Sequence, residues 1–554
     1  MKSFSTAEKQ KKATKNNMKK YQPTLYLLTA LIGVLIGVYI SKKESIEKVF
    51  YSYNKVDELM HLVHGNYVDS ISMEDIIEKT MPKVLTELDP HSTYIPAKDL
   101  EATNADLKSS FSGIGIRFII QDDTIHINEV IRKGPSEKVG LLPGDRIVTV
   151  DDTLFVGKVC TNDAAMRKLK GPKGTEVKLG IKRYGEKELM DFTITRDDIP
   201  LHSIEAAYII NDKWGYVQVD RFAENTFAEL MMALVRFAYN KSEGVIIDLR
   251  GNGGGWMGIA LQMANEFLEK GDVIVYTEGE HHPKIIEYAD GNGNFKRTPI
   301  VVLTDERSAS ASEIFAGTIQ DNDRGTIIGR RSFGKGLVQQ PFEFEDGSAV
   351  RLTIARYYTP SGRCIQKPYT KGDDEEYEMD IVNRYERGEF FSQDSIHQND
   401  SLIYKTRLGR TVYGGGGIMP DIFVSSDTTD VTSYYSQAIS RRLIMQFCLH
   451  YSDANRKQLS GFGGWEAMLA HLQSQPLLDE FVAYADSKGL KRRYNSIMKS
   501  RKLIERSIYA NIIYDIQGML EHVKYINTFD PTVLKAIEVL EAGESFPRAP
   551  ENNI

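Results

Sequence analysis

The chain has 554 residues, 41% of them hydrophobic and 26% charged, with a formal net charge of −7. That length holds several domains and more than one core, and the acidic balance argues against a nucleic-acid partner. Three cysteines, Cys160, Cys364 and Cys448, lie far apart without a CxxC pair, which excludes a disulfide framework and leaves the redox compartment open.

The first 20 residues carry seven lysines against one glutamate and few apolar side chains. Thr24 to Ile40 is then an uncharged apolar run, at the short end of what spans a bilayer. It ends Tyr-Ile-Ser-Lys-Lys, without the small residues at which a signal peptide is cut. The expectation is a cytoplasmic basic tail (1–23) followed by a retained transmembrane anchor (24–41), with a cleaved signal peptide as the alternative. The lysine excess keeps the N-terminus inside, so the chain is expected in the inner (cytoplasmic) membrane, single-pass, with its bulk on the periplasmic side.

Residues 44–100 read as a helical segment, with Val56, Leu59, Met60 and Val63 on one stripe and Ile76, Ile77, Met81 and Leu85 on another. It closes with LDPHSTYIP. His61, His64 and His91 make no metal-ligand constellation and are read as surface or packing residues.

Residues 105–196 contain four alternating or apolar runs bounded by Gly, Pro or Asp, the pattern of a β-rich module. The run GPSEKVGLLPGDRIVTVDD, preceded by Gly113-Ile114-Gly115-Ile116, resembles a PDZ domain. The resemblance implies that the Gly113–Ile116 loop offers backbone N–H groups to a peptide's C-terminal carboxylate, and that the peptide adds as a strand beside the one that follows. A plain glycine-flanked strand start is the alternative.

From 200 to 360 strands alternate with helices and residues 361–430 are mixed, which predicts an α/β core over 200–430. GVIIDLR is a buried strand leading into Gly251-Asn-Gly-Gly-Gly255 and the helical WMGIALQMANEFL. Such a glycine run either makes a tight turn or brings free N–H groups to a bound group. Val301–Thr304 is a second buried strand, and beyond it Ser310 stands three residues ahead of Glu313, the spacing of a capping box. Ser310 is therefore an ordinary N-cap or a hydroxyl held at the positive end of a helix, where oxyanion chemistry is favoured. No histidine lies between His282 and His397. A serine nucleophile here needs another base, and Lys335, between two glycines, serves if burial favours its neutral form. Gly329 to Lys335 also matches the first half of a phosphate-binding loop, but Gly336 stands where Ser or Thr is needed, and LVQQPFEF alternates like a strand. Gly414–Gly417 reads as a flexible connection, and residues 431–554 as a helical extension that covers the core or contacts a subunit.

Taken together, GVIIDLRGNGGG, SASASEIFAGTIQD, GRRSFGKGLVQQ and RYYTPSGRCIQ resemble the C-terminal processing peptidases, or tail-specific proteases. The fold implied is multidomain α/β: a peptidase core with an inserted PDZ module, an N-terminal transmembrane helix and a C-terminal helical extension. By that similarity Ser310 is the nucleophile, Lys335 the general base and Gln339 its orienting partner. The N–H groups of Ala311 and Gly255, with Gly254 close behind, form the oxyanion hole, and Asp321 is structural. The implied substrates are protein C-terminal tails, with no metal or organic cofactor; a homo-oligomer or a separate adaptor protein is compatible with it. The alternative is a catalytically inactive, peptide-binding adaptor.

Overall fold

The computed structural model describes residues 55–105 and 110–549. The expected basic tail and transmembrane anchor lie outside them, and no helix among the described residues is long and apolar enough to cross a membrane. The chain divides at Lys83 into two units. The described part of the first is helical over 55–66, where Val56, Leu59 and Leu62 are exposed, and again from Met73.

The second unit is built around a six-stranded sheet in the order Ile204–Ile210, Trp214–Val219, Gly244–Asp248, Ile300–Thr304, Thr326–Gly329, Ile422–Phe423. The first pair is antiparallel and the rest parallel. Its middle strands are continuous apolar runs because both faces are covered. The period of two sorts them. Val245, Ile247 and Val302 pack with the helices Thr226–Tyr239, Met257–Asn265 and Ala311–Asp321. Ile246, Val301 and Leu303 pack on Val533, Ala536 and Leu540 of the helix Pro531–Glu541. The last helix of the described residues is thus part of the central core.

A second, antiparallel sheet holds Thr93–Ile95, Ala349–Tyr358, Val273–Gly279 and His282–Tyr288, and Leu337–Glu343 pairs along Ala349–Tyr358. A third sheet, Ile116–Gln121, Thr124–Val130, Arg146–Val150, Glu176–Lys182 and Met190–Thr195, has its own core of Ile125, Ile127, Ile147, Leu179 and Ile181. Its strand Ile116–Gln121 is at the edge. The chain enters and leaves this module through the paired strands Ser110–Gly113 and Asp197–Pro200. Helices from Ser433–Ser440 to Met519–Asn527 gather a further apolar cluster that includes Phe447, Met468, Phe481 and Ile512.

Candidate active site

The buried strand Ile300–Thr304 leads through a short turn into the helix Ala311–Asp321, every residue of which is buried. Ser310 is its N-cap, with φ 56° and ψ −114°. A side chain held at such a positive φ carries strain of order 1–3 kcal/mol, so its surroundings must impose it. They do. The Ser310 N–H donates to Glu313 Oε2 at 2.9 Å, and its carbonyl accepts the N–H groups of Glu313 and Ile314 at 2.9 and 3.0 Å.

Glu313 does more than cap the helix. Its Oε2 also accepts the Lys335 N–H at 2.8 Å, and its Oε1 accepts the Gly334 N–H at 2.7 Å and the Ser332 hydroxyl at 2.5 Å. One fully buried carboxylate therefore ties the Ser310 turn to the Lys335 loop. Burial pushes its carboxyl up to about 7, against the pull of its donors. Tyr357, on the strand Ala349–Tyr358, makes a second tie: its hydroxyl lies 2.5 Å from the Lys335 carbonyl and 3.2 Å from that of Ser310. Burial holds this phenol well above its usual range, so it remains a donor.

Lys335 opens onto a cleft of about 450 Å³ lined also by Gln339, His91, Tyr94, Asp99 and Arg351. Burial above all, then the charge of Arg351, lowers the Lys335 ammonium below its ordinary value, while Glu313 and Asp89 oppose. Gln339 shares the cleft, with its amide toward Thr353 Oγ1 at 3.4 Å. Thr353 in turn donates to Asp89 at 3.0 Å, and buried Asp89 also accepts from the His91 and Ser92 N–H groups and the Ser92 hydroxyl. The segment Asp89-Pro-His-Ser92 is thus the floor beneath Gln339. In the sequence it reads only as the end of a helical segment, because its partner Thr353 is 264 positions away. His91 is a cleft residue whose Nε2 sits 2.8 Å from the Tyr377 hydroxyl; burial, then the Lys335 charge, drives it to about 4.

The glycine loop lies directly on the serine turn. Asn252 staples the two: its carbonyl accepts the Ala309 N–H at 3.0 Å and the Ser312 hydroxyl at 2.9 Å, and its side chain accepts the Gly254 N–H at 2.8 Å. Gly254 has φ +104°, and a Cβ there would fall 2.8 Å from Ser310 Cβ and 3.0 Å from the Ala311 nitrogen, so only glycine fits. Gly255 bridges to Phe222 through its neighbours. Phe222 N–H donates to the Gly254 carbonyl, and Trp256 N–H donates to the Phe222 carbonyl. Gly255's own N–H stays outside that bridge. The Ala311 N–H, first in its helix, has no place in the helical ladder.

Asp321, at the helix's far end, makes a fully buried ion pair with Arg363 at 2.7 Å and accepts the Ser361 hydroxyl at 2.6 Å. Gly113, Ile114, Gly115 and Ile116 lie in the third sheet's module and contribute nothing to the cleft. Gly115 has φ +77°, and the Ile114 carbonyl accepts both the N–H and the hydroxyl of Ser136, at 3.0 and 2.6 Å. One reading holds and one needs revision. Lys335 runs into the strand Leu337–Glu343, so Gly329–Lys335 has no helix on which to rest a phosphate. Gly414–Gly417 is no flexible connection: three of its N–H groups bond to Leu402, Cys364 and Ile365, and a Cβ on Gly417 would strike the Ser332 carbonyl at 2.7 Å. Among the described residues no cluster of His, Cys, Asp or Glu is arranged to hold a metal.

Residues 213–375 match peptidase family S41, residues 112–194 a PDZ domain, and residues 434–518 a family of unknown function. The carboxy-terminal-processing protease of Bartonella bacilliformis is 33% identical over 347 residues, 62% of this chain and 78% of that protein. The carboxy-terminal processing protease CtpB of Bacillus subtilis is 32% identical over 57% of this chain and 65% of its own. Among solved structures, a photosystem II D1 C-terminal processing protease is 24% identical with a TM-score of 0.34, over 67% of this chain and 92% of that one. With a third of the aligned residues identical across 78% of such a relative, and a serine-bearing α/β core beside a PDZ domain, the chain belongs to the carboxy-terminal processing proteases of peptidase family S41, which are serine-type endopeptidases.

Proposed function

We propose that this protease cuts by a Ser–Lys dyad through an acyl-enzyme, on protein C-terminal tails that its PDZ domain captures. Ser310 is the nucleophile. Neutral Lys335 takes its proton as Oγ attacks the peptide carbonyl, and Gln339 orients the lysine within the cleft. The N–H groups of Ala311 and Gly255 take the tetrahedral oxyanion; the lysinium then protonates the leaving amine, and water clears the acyl-enzyme by the same base. What carries this reading is the buried Glu313 carboxylate, bonded to the backbone N–H groups of both Ser310 and Lys335, together with the burial that disfavours the lysine's charge.

In the same reading the Gly113–Ile116 loop receives the tail's carboxylate, and the tail pairs along the edge strand Ile116–Gln121. Residues 24–41 anchor the enzyme in the inner membrane, with its catalytic bulk on the periplasmic side, on the strength of their apolar run and the lysines that precede it. The test is cleavage of an unfolded reporter with an apolar C-terminal tail by the full chain, Ser310→Ala and Lys335→Ala. Each substitution should abolish cleavage and leave the melting temperature unchanged. Cleavage by either folded variant at the parent's rate would overturn the dyad.

A further inference from the structure

The PDZ module touches the helical region on the face of its sheet that points away from its own core. Across the first three strands, Ile125 pairs with Ile120 and Ile147 on the core side, whereas His126 pairs with Ile119 and Arg146 on the other. It is this outer face that meets the helices. Arg146 Nη2 donates to Asp453 Oδ2 at 2.6 Å, and the Asp453 side chain is 5% exposed. Asp453 lies 3.5 Å from Arg456, which in turn binds Asp515 at 2.7 Å, so the helices Leu443–Leu459 and Arg501–Gln517 share one charge chain. Gln121 reaches His450 at 3.5 Å. Gly144, with φ +91°, lets the module's loop come so close that a Cβ there would fall 2.9 Å from Arg456 Nε and 3.0 Å from Asp453 Oδ1.

Two features mark this contact as specific yet releasable. It is made of buried charge and close backbone approach, which demand one geometry. Its polar capacity is also incompletely filled: Gln121 Oε1 and Arg456 Nε are buried without a hydrogen-bond partner among the described residues. Unsatisfied buried polar groups weaken a contact relative to an apolar one of the same area. The Gln121 side chain joins the contact from the outer face, whereas a tail pairs with the backbone edge of the same strand, so the contact and a bound tail can coexist.

We infer that the helical unit over residues 434–518, the segment that matches a family of unknown function, is an intramolecular clamp that fixes the direction in which the PDZ domain presents a captured tail. This rests on the tail-capture reading above. The clamp is a positioning device, and its role is to lower KM for tailed protein without taking part in the chemistry.

The test uses the full chain, Arg146→Met, Asp453→Asn and the double variant, with two readouts. Hydrogen exchange over residues 124–150 and 443–459 should rise at least tenfold in each single variant, with no change in the strand Gly244–Asp248. KM for a tailed protein should rise severalfold, with kcat and cleavage of a short untailed peptide unchanged. Because both singles break the Arg146–Asp453 contact, the double should be no worse than the more severely affected single. Unchanged exchange, or additive effects in the double, would overturn the clamp. Faster exchange with an unchanged or lower KM would overturn its positioning role. A parent that cuts tailed and untailed substrates alike would defeat tail capture instead, and exchange would still decide whether the clamp exists.

Discussion

The Ser310 and Lys335 loops and the PDZ–helix junction are both held by buried polar groups, but in opposite ways. At the loops the Glu313 carboxylate binds four donors and Tyr357 spans two carbonyls. At the junction Arg146, Asp453, Arg456 and Asp515 form a chain that leaves Gln121 Oε1 and Arg456 Nε unmet among the described residues. A filled network in low dielectric is stiff, and a partly filled one is easier to open. The difference suits the tasks proposed for them: reacting groups need a geometry held within fractions of an ångström, whereas a domain that presents tails must let substrate come and go.

Emptying the filled site should have the largest effect. Glu313→Ala leaves three backbone N–H groups and the Ser332 hydroxyl without their acceptor. It should lower stability by about 3 kcal/mol or more and cleavage by about a hundredfold, read by denaturant unfolding and kcat/KM. Tyr357→Phe removes only the hydroxyl that spans the two carbonyls, and should lower stability by about 1 kcal/mol and cleavage by roughly tenfold.

The smallest effect is in the pH dependence of stability. Glu313 in the fold titrates about 7, above an exposed glutamate's 4.5. The unfolded chain therefore loses that proton first, and between those values the folded state binds more protons. Its contribution to stability is full below 4.5 and declines as pH rises to about 7. His91 and His126, both driven to about 4, act in the opposite sense over the lower part of that window. The difference in melting temperature between parent and Glu313→Gln isolates the glutamate, and it should shrink as pH rises toward 7. A difference that is flat from pH 5 to 8 would mean that Glu313 is ionised throughout.

Much of this was legible in the chain. The buried strands, the PDZ pattern and the order of the peptidase motifs are local signals, carried by short stretches such as GVIIDLR and SASASEIF. Glu313 was legible only as a cap, because Ser310 is in its own turn and Lys335 is not. Asp89, Ser92 and Thr353 were invisible as a unit, since two elements far apart in sequence meet through a sheet pairing, Thr93 with Arg351. The tetraglycine misled for a related reason. Glycine signals permission for unusual backbone, and the sequence does not say whether the permission serves mobility or, as at Gly417, close packing. The helix Pro531–Glu541 carries an ordinary apolar stripe, and nothing in that stripe names the central sheet as its partner.

Catalysis turns on which group takes the serine's proton. The most direct measurement is kcat/KM for a tailed substrate from pH 5 to pH 11. With Lys335 as base the profile rises with pH along one limb, centred below an ordinary lysine's 10.5 because burial disfavours the ammonium, and the limb is absent from Lys335→Ala. A limb centred near a histidine's ordinary value of about 6.5, surviving in Lys335→Ala, would place the base elsewhere and contradict the dyad.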